Sequence, residues 1–131
     1  MVTRTNKDSI FSFLSNLSVD LVVSAGFPFI LPSYVLTSGP SFINSHPSLL
    51  PNYKGYNSIK DAYKNGEDHM GVTVHYMTEE LDGGDIIAQN KVSVRGMTLP
   101  EVYSLLFHTV EPETIAQSLK TLKLGGVLGC K

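Results

Sequence analysis

The sequence predicts an α/β domain, an open and mostly parallel sheet with helices on its faces. Three observations carry that prediction. Apolar residues recur first at helical spacing and then in short β-branched runs, in the order α-β-β-α-β-β-α. The chain has 131 residues, of which 42% are hydrophobic; at about 150 residues per domain this is one domain with material for one core. No repeat, low-complexity tract or charge run divides it, so residues 1–131 read as a single domain.

Taken in order, Asp8 is placed to cap a helix through about Leu17, with Ile10, Phe11, Phe13, Leu14 and Leu17 at helical spacing. Asp20–Ala25 is a short apolar run ended by Gly26 and reads as a buried strand. Phe27–Pro32 is an apolar loop, followed by a turn of helix. Ser41–Asn44 is a second brief strand, closed by His46 and Pro47, and Ser48–Asn57 holds Pro51 and Gly55 and reads as loop. Ser58 offers an N-cap to a helix carrying Ile59, Ala62 and Tyr63, stopped by Asn65-Gly66. Gly71–Met77 alternates and is rich in β-branched residues, Leu81-Asp82-Gly83-Gly84 is a turn, and Ile86–Val94 is a further strand. Thr98 caps the last helix and Glu101 completes a capping box. That helix runs through Val102, Leu105, Leu106, Val110, Ile115 and Leu119, with a kink at Pro112; Gly125-Gly126 ends the ordered part.

A doubly wound sheet opens on a strand and a glycine-rich turn, whereas this chain opens on a helix. Its first strand is left without a partner on one side, and a hydrophobic edge is an association template unless covered. The expectation is a chain lacking its N-terminal βαβ portion, either assembling as a homo-oligomer or covered along residues 20–25 by a complementing chain.

Composition excludes several classes. Ten Lys and Arg stand against 12 Asp and Glu, a net charge of −2, so no basic field for nucleic acid is present. The longest apolar runs are short, mean hydropathy is only +0.04, and no membrane span is expected. Residues 1–8 are polar and lack the apolar stretch of a signal peptide, which makes the cytoplasm the expected compartment. The lone Cys130 cannot form an internal disulfide or a cysteine metal site.

Asn44 and His46 are two residues apart at a strand end, so their side chains share a face, and Pro47 holds His46 extended. Ligands of open α/β sheets bind at the carboxyl ends of strands. An amide and an imidazole aimed at one point can donate to an oxygen that gains negative charge in a transition state. The alternative is that Asn44 caps a turn and His46 packs beneath Tyr53. Asp82 precedes two glycines in a turn where backbone can approach a ligand. A carboxylate near His46 would favour the imidazolium and take up a proton; equally, Asp-Gly is a common turn dipeptide. His46, His69, His75, Asp82 and Asp85 match no metal-ligand spacing, His75 reads as packing within its strand, and no metal is expected. Lys54, Lys60 and Lys64 read as a solvated face, and Gly26–Pro32 as core or as the wall of a pocket for a flat ligand.

Together these residues resemble the folate-dependent formyltransferase family. The matching stretches are Ala25-Gly26-Phe27 with Ile30-Leu31, then Ile43-Asn44-Ser45-His46-Pro47-Ser48-Leu49-Leu50-Pro51 with Gly55, Gly71-Val72-Thr73-Val74-His75-Tyr76, Leu81-Asp82-Gly83-Gly84 and Ile86-Ile87-Ala88-Gln89. The resemblance implies a Rossmann-like formyltransferase fold without its N-terminal part. It implies transfer of a formyl group from 10-formyltetrahydrofolate, a co-substrate, to a small-molecule amine, without a metal. The acceptor implied is glycinamide ribonucleotide, with amino-sugar N-formylation, or an inactive partial domain that only binds, as the alternatives. Asn44 and His46 would polarise the formyl oxygen, and Asp82 would orient His46 and assist loss of the amine proton. Phe27, Ile30 and Leu31 would lie against the folate ring, with the backbone of Thr78, Glu79, Glu80 and onward to Asp82 reading its edge. Pro47, Gly55 and Glu111 fall on the acceptor side. The sequence departs from the family pattern at Phe29, where a basic residue is common, and in a Leu31–Asn44 segment one residue short.

Overall fold

The computed structural model describes residues 6–27 and 29–122. Four strands, β1 (Leu21–Ala25), β2 (Ser41–His46), β3 (His69–Tyr76) and β4 (Ile86–Ser93), form one open sheet in the order β1-β2-β3-β4. Helices α1 (Lys7–Ser15), α2 (Ser33–Leu36), α3 (Ser58–Lys64), α4 (Leu99–Leu105) and α5 (Glu111–Thr121) flank it, as expected for an α/β domain.

The sheet is mixed rather than mostly parallel. β1 pairs with β2 in parallel, while β2 with β3 and β3 with β4 are antiparallel. The connector of residues 77–85 has no helix and is too short for a parallel crossover, which takes a dozen residues or more. β2 also continues past Asn44 to His46, because Asn44, Ser45 and His46 pair with His75, Val74 and Thr73.

Alternation along β2 and β3 sorts the core onto two faces. Phe42 lies in the phase of Asn44 and His46 and packs with Phe11, Leu31 and Val35, the contribution of α1, the loop and α2. Met70 and Val72 lie in the opposite phase and pack with Ile59 and Ala62 of α3 and with Val102, Leu106 and Val110. The last helix opens on the expected capping box of Thr98 and Glu101. Expected as one kinked helix, it widens into a π turn over Leu106–Val110 before α5. Pro112 supplies the cause, since it has no N–H to give and its ring crowds the carbonyl four residues back.

Two caps differ from expectation. Asp8 lies inside the first turn of α1, where its charge suits the helix dipole, and makes no cap bond. Asn57, in the left-handed region at φ 60°, is the N-cap of α3, while the Ser58 hydroxyl donates to the Pro47 carbonyl. Gly125-Gly126 and Cys130 fall outside the described residues. Among the described residues no helix is long and apolar enough to cross a membrane.

Candidate active site

The C-terminal end of β2 carries the site. Asn44 and His46 project to the same face, as their spacing requires, and both are buried. The 77–85 turn leaves β3 beside Phe42, toward the other end of β2, and folds back over the face shared by Asn44 and His46, bringing Asp82 to them. Asp82 holds a left-handed backbone at φ 52°. Nearby, Gly84 passes so close to the Tyr76 carbonyl oxygen that a Cβ there would overlap it.

Asn44 is oriented from two sides. Its Oδ1 accepts from the Ser24 hydroxyl at 2.6 Å and from the Phe27 backbone N–H at 3.1 Å. The amide flip is thereby decided, and the NH₂ group faces inward to the site. One of its hydrogens points to His75 Nε2 at 3.5 Å, leaving the other for a ligand.

His46 is fixed by a carbonyl. Its Nε2 stands 2.8 Å from the Tyr53 oxygen, which can only accept, so Nε2 carries the proton. Nδ1 then faces Asp82 Oδ2 at 3.5 Å, with both side chains about nine-tenths buried or more (7% and 6% exposed). The same carboxylate accepts the Gly55 N–H at 2.8 Å and stands 3.7 Å from His75 Nε2.

His75 belongs to the site, beyond the packing role read for it. Its Nδ1–H donates to the Tyr76 carbonyl at 2.8 Å, so the neutral ring turns a bare Nε2 toward Asn44 and Asp82. Burial pushes its pKa below the ordinary imidazole value, and neighbouring His46 adds to this. The Tyr76 carbonyl and the Asp82 charge work against the shift without cancelling it. The register of the β3–β4 ladder shifts between Val74 and His75, leaving Ile87 of β4 unpaired.

Two clefts flank the cluster. One, of about 180 Å³, is lined by Phe27, Asn44, His46, Pro47, Gly55, Tyr56 and Asp82 among others. The second is a narrow groove of about 10 Å³ between Phe27–Leu31 and the 77–82 turn, with Asn44, His75, Thr78, Glu80 and Asp82 on its walls. Asn44 and Asp82 are common to both, so a group crossing from one cleft to the other passes the cluster.

Most of the expected site residues therefore converge: Asn44, His46 and Asp82 at the centre, Pro47 and Gly55 on one wall, Phe27, Ile30, Leu31, Thr78 and Glu80 on the other. Two do not. Glu79 is exposed and lines neither cleft. Glu111 opens α5 and accepts from the Ser45 hydroxyl at 2.7 Å. Ser45 alternates with Asn44 and His46, so Glu111 meets the sheet from the opposite face to theirs and lines neither cleft. Ser24 is a contributor the sequence did not single out, while His75 and Tyr53 were expected only to pack, in a strand and over His46 respectively. The trace of Ser24 in the sequence is a hydroxyl inside an apolar strand.

Comparison with known proteins gives consistent findings. The family described as Formyl transferase matches residues 3–119. A phosphoribosylglycinamide formyltransferase from Haemophilus influenzae is 43% identical over 88 residues, covering 66% of this chain and 42% of that protein. A methionyl-tRNA formyltransferase from Thermotoga maritima is 34% identical over 124 residues, covering 93% of this chain and 39% of that protein. The crystal structure of phosphoribosylglycinamide formyltransferase from Bacillus halodurans superimposes with a TM-score of 0.76 at 31% identity, over 88% of this chain and 61% of that one. The chain spans roughly two fifths of the length of the curated relatives it matches.

Proposed function

The chain belongs to the formyl transferase family, and from that premise we propose that it moves a formyl group from 10-formyltetrahydrofolate to the amine of a small acceptor, glycinamide ribonucleotide. The observation that carries this reading is the double anchoring of Asn44. With Oδ1 saturated by Ser24 and Phe27, an amide N–H is committed to the space between the two clefts, beside His46 and Asp82.

The chemistry follows from those groups. As the acceptor amine bonds to the formyl carbon, the formyl oxygen gains negative charge, and the Asn44 N–H donates to it at no cost in reorganisation. His46, bonded to the Tyr53 carbonyl through Nε2 and facing Asp82 through Nδ1, lies on the same side and works through that carboxylate. The attacking nitrogen must lose a proton and the departing folate nitrogen must gain one. Asp82 accepts from the first, directly or through water, and the His46–Asp82 pair returns a proton to the second. A donor ring placed against Phe27 and Ile30 needs more room than the narrow groove holds. The turn at Thr78–Leu81 is exposed and held by local bonds of Thr78 with Glu80, and it is the wall that would move.

The acceptor rests on similarity to phosphoribosylglycinamide formyltransferases. Similarity to methionyl-tRNA formyltransferases over nearly the whole chain makes methionyl-tRNA the second acceptor to assay. The test is release of tetrahydrofolate from the donor with and without each amine, beside a His46→Ala control. Release that requires glycinamide ribonucleotide and disappears in the control is the expected result. Release with another amine alone reassigns the acceptor. No release from folded protein replaces the enzyme with a binding module.

A further inference from the structure

His46 gains its orientation from a residue that lines neither of the two clefts. Tyr53 lies in the loop between β2 and α3, and its backbone is left-handed at φ 57°, a conformation disfavoured for a bulky residue. Such a backbone persists where its surroundings impose it. Three contacts do so here. The ring packs against the cluster built around Ile59, Ala62 and Met70. The phenol donates to Glu67 Oε2 at 2.7 Å, and it accepts from Asn65 Nδ2 at 2.9 Å. Both partners stand just beyond α3, so the phenol is fastened to the end of that helix. The fourth contact is the output, the Tyr53 carbonyl 2.8 Å from His46 Nε2.

We propose that Tyr53 is a positioning residue for His46: its phenol, clamped by Asn65 and Glu67, holds the left-handed backbone whose carbonyl takes the Nε2 proton and leaves Nδ1 turned to Asp82. Without that acceptor the neutral imidazole has no reason to keep its proton on Nε2. Nδ1–H facing Asp82 becomes the competing tautomer, and the ring rotates about its own bond to Cβ. The titratable groups facing His46 are Asp82, at 3.5 Å, and His75 across the same carboxylate, so a change of tautomer is felt by the whole cluster. The inference deepens the formyl-transfer reading for its kinetic consequences, while its structural content stands apart from any turnover.

The test is Tyr53→Phe, which removes only the hydroxyl and keeps the packed ring, studied with Glu67→Ala and Glu67→Gln at an exposed site. Nitrogen NMR of the His46 ring in the full chain reads the tautomer directly. The expected wild-type signature is a protonated Nε2 and a bare Nδ1 in the neutral ring. Tyr53→Phe and Glu67→Ala are expected to mix the tautomers, and Glu67→Gln, which retains an acceptor, to restore the wild-type pattern. In the transfer assay kcat is expected to fall about tenfold with KM for the donor changed by less than about twofold. The double variant Tyr53→Phe, Glu67→Ala should lose no more than either alone. An unchanged nitrogen signature in Tyr53→Phe, with a lowered melting temperature only, overturns the proposal and leaves Tyr53 a packing residue. An intact signature in a chain with no turnover overturns the transfer reading and leaves the clamp in place.

Discussion

Gly55 donates its backbone N–H to Asp82 Oδ2 across 2.8 Å, a bond that ties the loop after β2 to the turn after β3. The carboxylate is thereby held by backbone on one side while it faces His46 and His75 on the other. Asp82→Asn keeps an oxygen for Gly55 and removes the charge. kcat should fall by about 10²- to 10⁴-fold, the range for losing a positioned acid-base group, with donor affinity little changed. Steady-state rates beside direct donor binding check this, and equal losses in both would remove Asp82 from the chemistry.

Ser24 reaches Asn44 Oδ1 at 2.6 Å, the shorter of the two bonds that decide which way the amide faces. Ser24→Ala leaves the Phe27 N–H as the remaining anchor. A loss of about 1 kcal/mol in stability is expected from the bond, together with a fall of about tenfold in kcat from a looser amide. Urea denaturation and the transfer assay measure the two separately. A variant of wild-type rate would show that one donor suffices.

His75 gives the fold a pH dependence of known sign. Burial sets its folded-state pKa below its unfolded value, which lies near 6.5. As pH falls past that unfolded value, the unfolded chain takes up a proton that the folded chain refuses. The stability due to neutral His75 is therefore complete above about pH 6.5 and is lost as pH drops toward the folded-state value. His75→Gln should flatten this slope in denaturation curves recorded above and below that pH. A slope that survives the substitution belongs to another group.

β1 ends the sheet, and its outer edge has no strand partner among the described residues. Val23 on this strand is 39% exposed and Val19 just before it 48%. We propose that the edge is covered by a second copy or by a complementing chain, because an open apolar edge invites pairing. Light scattering should show association of the isolated chain, weakened by Val23→Lys. A monomer at every concentration, with wild-type and variant alike, would refute it.

Much of this was readable before any coordinates. The strands announced themselves because β-branched runs ended by glycine or proline admit few other structures, and the i, i+2 spacing of Asn44 and His46 settled their shared face. The arrival of Asp82 depends on the 77–85 turn folding back over the sheet face, which local pattern does not encode. The bare length of the 77–85 connector was the available signal that the sheet is mixed. His75 was recognised as buried, yet its partners follow from register. The contact of Glu111 with Ser45 was hidden for a related reason: a helical position says nothing about which face of the sheet its helix will cover. Tyr53 acts through its carbonyl, and a backbone atom leaves no mark in the identity of its residue.

The π turn over Leu106–Val110 has a consequence for length variation in this segment. Val102, Leu106, Val110, Thr114 and Ser118 are all buried, a stripe repeating every four residues. In a helix of 3.6 residues per turn such a stripe drifts by about 40° at each step. The widened turn absorbs part of that drift, much as a leap day keeps a calendar aligned with the season. Removing one residue from 106–110 would leave everything after it nearly in place, whereas forcing the segment into regular α geometry without removing a residue would swing all that follows by about 100°. Thr114 and Gln117 would leave Asn90, and Glu111 would leave Ser45. The irregular turn is what keeps α5 in step with the sheet, and a regular helix of the same length there would fit the domain worse.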